Sequence, residues 1–280
     1  METHAEAVGG IALHYPSVKK LLVDFIRDEV NGAGFSKGVI GVSGGVDSAL
    51  ATMLAAEALG RENVLAVMLP YRTSDPSSLA DAELLIKQLG IRSVAVDITP
   101  MVQPYLDKHP EMDNVRRGNI MARQRMIVLY DQSAQEKALV IGTSNKTELL
   151  LGYGTLHGDV ACAINPLGDL YKTQIWQLAE HVGVPQRIID KKPTADLWQG
   201  QTDEEELGFA YKKVDQLLYY LIDERHTEEE LIGLGFEKYF IEKVKRIVQV
   251  NQFKRRPPLI AKVSHRTINV DFRYARDWGI

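Results

Sequence analysis

The chain has 280 residues, 45% hydrophobic and 25% charged, the proportions of an ordinary globular protein. Its 33 basic and 37 acidic side chains leave a net charge of −4, not the basic surplus of a nucleic-acid binder; the one dense basic run is Lys254-Arg255-Arg256. A single cysteine, Cys162, excludes an internal disulfide and a Cys-rich metal site, no apolar run nears the roughly 18 residues of a membrane span, and residues 1–14 lack the basic and apolar regions of a secretory signal. A cytoplasmic protein with neither nucleic acid nor membrane as partner is expected.

Residues 17–31 place Val18, Leu21, Leu22, Phe25 and Ile26 at helical spacing. After the break at 32–34, the apolar run 38–42 reads as a buried strand that feeds a Ser/Gly-rich turn. A helix rich in Ala, Leu and Met follows and stops at Gly60. The alternation continues with strand 64–69, helix 76–90, strand 93–96, a long helix over 112–135, strand 138–141 and a helix from near Asn145. Short apolar strands alternating with helices predict an α/β fold with a doubly wound parallel sheet. In such a sheet, ligands bind at the carboxyl ends of the strands, near the switch in strand order. The segments at Ser43, Met68 and Gly142 all begin where a strand ends.

Beyond Gly183 the pattern turns helical. Thr202 and Glu205 have the spacing of a capping box and open an expected helix over 203–222, with Leu207, Tyr211, Val214, Leu218 and Leu221 as its apolar stripe. A further helix is expected over 237–251, ending before Pro257-Pro258. The organisation is thus one domain over 1–280: an α/β nucleotide-binding core (35–183), a helical C-terminal section (184–256) and a tail (257–280).

The sharpest signal is Gly41-Val42-Ser43-Gly44-Gly45-Val46-Asp47-Ser48. The two adjacent glycines let the backbone turn tightly and bring N–H groups to an anion, with a helix N-terminus behind them. Ser43 and Ser48 add hydroxyls. A Gly-Gly pair alone is an ordinary strand-to-helix turn; both serines, the acid and the preceding strand together mark a phosphate loop. It lacks the lysine of the Walker loop.

This segment resembles the N-type ATP pyrophosphatases, whose signature is Ser-Gly-Gly-x-Asp-Ser and which cleave ATP between the α and β phosphates. Within that superfamily, Gly118-Asn119-Ile120-Met121-Ala122-Arg123-Gln124-Arg125-Met126 is similar to the Gly-Asn-x-x-Ala-Arg-x-Arg-Met segment of NAD synthetases. Gly142-Thr143-Ser144-Asn145-Lys146-Thr147-Glu148 is similar to their Gly-Thr-x-x-x-x-Glu element. The runs at Asn165 to Lys172 and Lys192 to Leu197 complete the set. The resemblance implies an adenine nucleotide alpha-hydrolase-like fold and a homodimer with substrate at the subunit boundary. It implies ATP contacts at Gly41, Val42, Ser43, Gly44, Gly45, Val46, Asp47, Ser48, Arg72, Thr143, Lys172 and Thr194. It makes Asp47 and Glu148 ligands of Mg²⁺ and, with Lys172, the catalytic set; hard carboxylate oxygens suit that ion. Acid-substrate contacts are implied at Asn119, Arg123, His157, Asp159 and Lys254. The implied reaction is amidation of deamido-NAD by ammonia, at the expense of ATP, to NAD, AMP and pyrophosphate through an acyl-adenylate. The segment 196–206 is expected to shield that intermediate.

Ammonia is the expected nitrogen donor, because a glutaminase needs an activated nucleophile and Cys162 lies between two motifs in a chain without room for a second catalytic domain. His157 and His181 are given no general-base role. The chain departs from NAD synthetases at Leu156 (commonly Lys), Ala163 (commonly an acid) and Phe253 (commonly His). These departures leave the acid open between deamido-NAD, the favoured reading, and nicotinate mononucleotide. Two other classes compete. A tRNA-modifying relative should bring a basic appended domain or a reactive cysteine, and a non-catalytic nucleotide-binding module would not need Asp47 and Glu148 together.

Overall fold

Four short strands, β1 (Gly38–Gly41), β2 (Val64–Met68), β3 (Arg92–Ala95) and β4 (Leu139–Ile141), pair in parallel in a computed structural model that describes residues 11–194, 196, 198 and 201–268. Their order is β3-β2-β1-β4, so the chain steps outward from β1 to β3 and then returns to place β4 on the far side of β1. Ile40 pairs with Ala66 on one side and with Ile141 on the other. A further parallel bridge joins Ile141 to Ile164. The helices are α1 (Tyr15–Gly32), α2 (Val46–Leu59), α3 (Pro76–Leu89), α4 (Thr99–Leu106), α5 (Asn114–Glu136), α6 (Lys146–Leu151), α7 (Lys172–Val182), α8 (Gln186–Ile189), α9 (Asp203–Leu207), α10 (Tyr211–Leu218), α11 (Glu228–Gly233) and α12 (Lys238–Val250).

Strand side chains alternate between faces, and the two faces of this sheet feed separate cores. Ile40, Ala66 and Met68 join a large cluster with Leu50 and Leu54 of α2 and Ile175 and Leu178 of α7. Val39, Leu65 and Val67 pack with Val128 of α5. Helices therefore cover both faces, which is why β1 and β2 are apolar throughout rather than alternating. The large cluster continues through Val214 and Leu217 of α10 to Ile241 and Val244 of α12, which seats the helical section on the α2–α7 face. No helix among the described residues is long and apolar enough to cross a membrane.

One expected element is different. In place of a single helix over 203–222 there are α9, a break at Gly208 (φ 75°), α10, and a π-helical turn at Tyr219–Asp223. Thr202 makes no capping bond. Instead, Glu204 Oε1 accepts the N–H of Tyr211 at 2.8 Å and satisfies a free donor at the start of α10. The apolar stripe runs in phase across the break, so its period conceals the interruption.

Candidate active site

The switch in strand order falls between β1 and β4, and the loops that leave these two strands form the walls of a cleft of about 620 Å³. After β1, Gly44 takes a left-handed conformation (φ 79°), and a Cβ there would lie 2.1 Å from the Ser78 carbonyl oxygen. The loop is pressed against the first turn of α3, and glycine alone fits. Ser48 Oγ accepts the Ser43 N–H (3.2 Å) and donates to the Gly45 carbonyl (3.0 Å), which closes the loop on itself. Val46 and Asp47, at the start of α2, line the cleft, so the positive end of that helix dipole lies at its wall.

After β4, Asn145 caps α6 reciprocally with Glu148. Its side-chain oxygen accepts the Glu148 N–H (3.0 Å), and Glu148 Oε2 accepts the Asn145 N–H (3.2 Å). Asn145 Nδ2 also donates to Asp47 Oδ1 (2.8 Å), so one amide ties the two loops together. Lys172 opens α7 and is buried at 3% exposure; its ammonium is bonded to Asp47 and lies 3.7 Å from Glu148 Oε1. Burial would push this lysine down, but the carboxylates of Asp47 and Glu148 outweigh it, and the Lys172 pKa is raised. Glu148 is pushed up, first by burial and then by the charge of Asp47, against the pull of Lys172. Two ionised carboxylates would outnumber one ammonium; the raised Glu148 pKa is the response to that imbalance, and a bound cation would relieve it.

The far end of the cleft is held by a second set. Thr155 Oγ1 donates to Asn119 Oδ1 (2.7 Å), and Asp159 Oδ1 accepts the Thr155 N–H (2.8 Å). Lys254 Nζ donates to the carbonyls of Gly152 (2.7 Å) and Gly154 (2.9 Å). Protein around Asp159 desolvates its carboxyl and raises its pKa, opposed by the Thr155 N–H and by Lys254.

Of the residues singled out from sequence, Gly41, Val42, Ser43, Gly45, Val46, Asp47, Ser48, Asn119, Thr143, Glu148, Asp159, Lys172, Thr194 and Lys254 line this one cleft. Gly44 lies behind its wall, against Ser78. Arg72, Arg123 and His157 are exposed and outside the lining. Arg123 Nε donates to the Leu156 carbonyl (3.2 Å), and His157 sits at φ 59°. Leu156, Ala163 and Phe253, the departures from the family pattern, are likewise outside it. Sequence reasoning missed several lining groups and their supports. Asn145 bridges the loops. Arg125, two residues past Arg123 in the same motif, reaches the cleft with Nε on the Leu69 carbonyl (3.0 Å). Tyr153 bonds to Asp203 (3.0 Å) and Glu206 (2.9 Å), and Asp203 also accepts from Tyr211 (3.1 Å).

A doubly wound parallel sheet with a glycine-bent loop and convergent charges at its switch point places the chain among the adenine nucleotide alpha-hydrolase-like folds. Residues 18–258 match the NAD synthase family, and the chain belongs to it. It is 59% identical over 262 residues to the NH3-dependent NAD+ synthetase of Trichlorobacter lovleyi, covering 94% of this chain and 96% of that one. Among solved structures, the NH3-dependent NAD synthetase of Campylobacter jejuni matches with a TM-score of 0.77 at 35% identity, over 90% of this chain and 100% of that one. The NMN synthetase of Francisella tularensis matches with a TM-score of 0.79 at 33% identity, over 89% and 99%.

Proposed function

We propose that the chain is an ATP-dependent carbon–nitrogen ligase that amidates the nicotinate carboxylate of deamido-NAD with ammonia, giving NAD, AMP and pyrophosphate. The observation that carries this reading is the meeting of Asp47, Glu148 and Lys172 beside the phosphate loop, in a chain 59% identical to an NH3-dependent NAD+ synthetase.

A carboxylate is a poor acylating agent because its leaving group would be oxide. Attack of its oxygen on the α-phosphorus of ATP releases pyrophosphate and turns that oxygen into part of AMP. Ammonia then adds to the acyl-adenylate carbonyl, and AMP departs with the bonding pair. The first step brings an anion to a polyanion, so fixed positive charge dominates the requirement. The loop N–H groups, the start of α2 and the hydroxyls of Ser43 and Ser48 receive the phosphates. Lys172, kept protonated by its two carboxylates, supplies a charge that does not need to reorganise. Asp47 and Glu148 suit Mg²⁺: both offer hard oxygens, and once both are ionised their charge exceeds that of Lys172. An ion held by two carboxylates would complete its shell with substrate phosphates and water. Bound there, Mg²⁺ supplies neutralising charge to the phosphates.

Thr143 and Thr194 are assigned to ATP, and Asn119, Asp159 and Lys254 to the acid; Arg72, exposed and outside the cleft, is assigned to ATP on the family resemblance alone. Arg123 and His157 stand outside the cleft of a single chain, which agrees with a homodimer whose acid site lies at the subunit boundary. Large apolar side chains of α5, Val115 (57% exposed), Ile127 (54%) and Tyr130 (40%), are available to such a contact. Closure over the adenylate is assigned to residues 196–206, of which 197, 199 and 200 lie outside the described residues.

The test is product analysis with ATP, Mg²⁺, ammonium and a panel of nicotinate acids. AMP and pyrophosphate should form only with an acid present, with kcat/KM higher for deamido-NAD than for nicotinate mononucleotide. A preference for the mononucleotide would reassign the substrate, and ADP with orthophosphate would end the proposal.

A further inference from the structure

Beneath the cleft, a carboxylate with no part in the chemistry above is wholly enclosed by protein. Asp215 of α10 is 0% exposed, in a stretch of apolar core made by Val214, Leu217 and Leu218. Its Oδ1 accepts the Thr147 hydroxyl at 2.6 Å, and its Oδ2 accepts the Thr173 N–H at 2.8 Å. The same Thr147 Oγ1 accepts the Lys172 N–H at 3.0 Å. One carboxylate thus joins the first turn of α6 to the first turn of α7. Glu148 directly follows Thr147, and Lys172 directly precedes Thr173.

An ion is an expensive way to fill a core, and an apolar side chain of similar size commonly stabilises such a site better. What the carboxylate adds is direction. Its two oxygens take one donor from each helix start, where backbone N–H groups lack partners within their own helices. Thr147 is placed to donate to Asp215 and to accept from α7 in the same turn. The clasp is one of two ties between the helix starts, the other being the Lys146 N–H on the Leu170 carbonyl (2.8 Å), and it is the one that ends beside both Glu148 and Lys172, whose Oε1 and Nζ lie 3.7 Å apart.

We propose that Asp215, acting through Thr147, is a positioning residue of the adenylating site, holding Glu148 and Lys172 in register from below. The inference rests on the assignment of those two residues to the phosphate chemistry. Without the clasp, only the Lys146 N–H bond to the Leu170 carbonyl is left to hold the start of α6 to the turn before α7, and the charges that must meet the α-phosphate lose their register while the acid end of the cleft is untouched.

Four variants of the full chain test it: Asp215→Asn, Thr147→Val (similar in shape, without the hydroxyl), Thr147→Ser (hydroxyl kept) and Val214→Ala. The last thins the same helix at a buried residue that takes no part in the clasp. The measurements are acid-dependent exchange of pyrophosphate into ATP, kcat, KM for the acid, and Tm. Asp215→Asn and Thr147→Val should lose about 10- to 100-fold in exchange rate and kcat with KM for the acid unchanged. Thr147→Ser should retain the wild-type rate. Val214→Ala should lower Tm yet keep its rate at temperatures where it is folded. Should Asp215→Asn fail to fold, Thr147→Val against Thr147→Ser decides. Wild-type exchange in Thr147→Val overturns the positioning role, as does a loss in Val214→Ala equal to that of Thr147→Val. If the wild-type chain itself shows no acid-dependent exchange with any nicotinate acid, the functional proposal falls, and the positioning role with it.

Discussion

Lys172 is the residue on which the charge balance of the cleft turns. Its ammonium is buried between two carboxylates, and taking it away leaves both without their shared partner. Lys172→Met should therefore lower stability by about 3 kcal/mol, as removal of one member of a buried ion pair does, and should also abolish turnover. Denaturant unfolding in parallel with the AMP assay separates the two effects, and a stable but inactive variant would mean that the pairing is worth little. Asp47→Asn and Glu148→Gln should stay folded and lose activity by orders of magnitude; near-normal rates at limiting Mg²⁺ would remove them as metal ligands. The residues of the contiguous motifs were legible in the sequence because each motif is read at fixed spacing. Asn145 belongs to one of these motifs, but its role as a bridge is not readable there, since its partner Asp47 lies 98 residues away. Arg125 stands beside Arg123 in the same motif, and helix spacing does not say which of two nearby arginines turns towards the sheet.

Among the elements, β3 and α5 show how an exposed edge is held. Glu136, the last residue of α5, receives both terminal nitrogens of Arg92 on β3 (2.9 and 2.7 Å) and Lys37, just ahead of β1 (3.3 Å). The Arg92 guanidinium first, and Lys37 after it, hold the Glu136 carboxyl down at about 2. Its unfolded value lies near 4.3, so the folded state binds the proton less tightly than the unfolded state. The clamp's contribution is then complete above that unfolded value and is lost as pH falls towards 2. Glu136→Gln should lower Tm by a few degrees at neutral pH, and its deficit should shrink steadily in acid. A deficit independent of pH would show that charge is not its cause. The strands were legible because β1, β2 and β4 are short apolar runs in a chain that otherwise alternates. The elements α4, α8 and α11 were not, being eight, four and six residues long, too short to display a helical period. The interruption at Gly208 was hidden by its in-phase stripe.

For the molecule as a whole, the sheet order was not in the sequence, because periodicity reveals elements and not their neighbours. The expectation of ligand at a switch point needed the observed return from β3 to β4 to become a location. The nitrogen source is also a property of the whole chain. Cys162 is half-buried and burial pushes its thiol up, away from the thiolate that glutamine hydrolysis requires. Ammonium should sustain the purified protein and glutamine should not; equal rates with both would show a nucleophile that this reading does not contain. The central claim is that the nicotinate carboxylate attacks the α-phosphorus of ATP, and the fate of its oxygen measures this directly. With both carboxylate oxygens of the acid substrate labelled with ¹⁸O, turnover with ATP and ammonium should leave one labelled oxygen in AMP, one in the product amide and none in pyrophosphate. Unlabelled AMP, or label in pyrophosphate or orthophosphate, would contradict it.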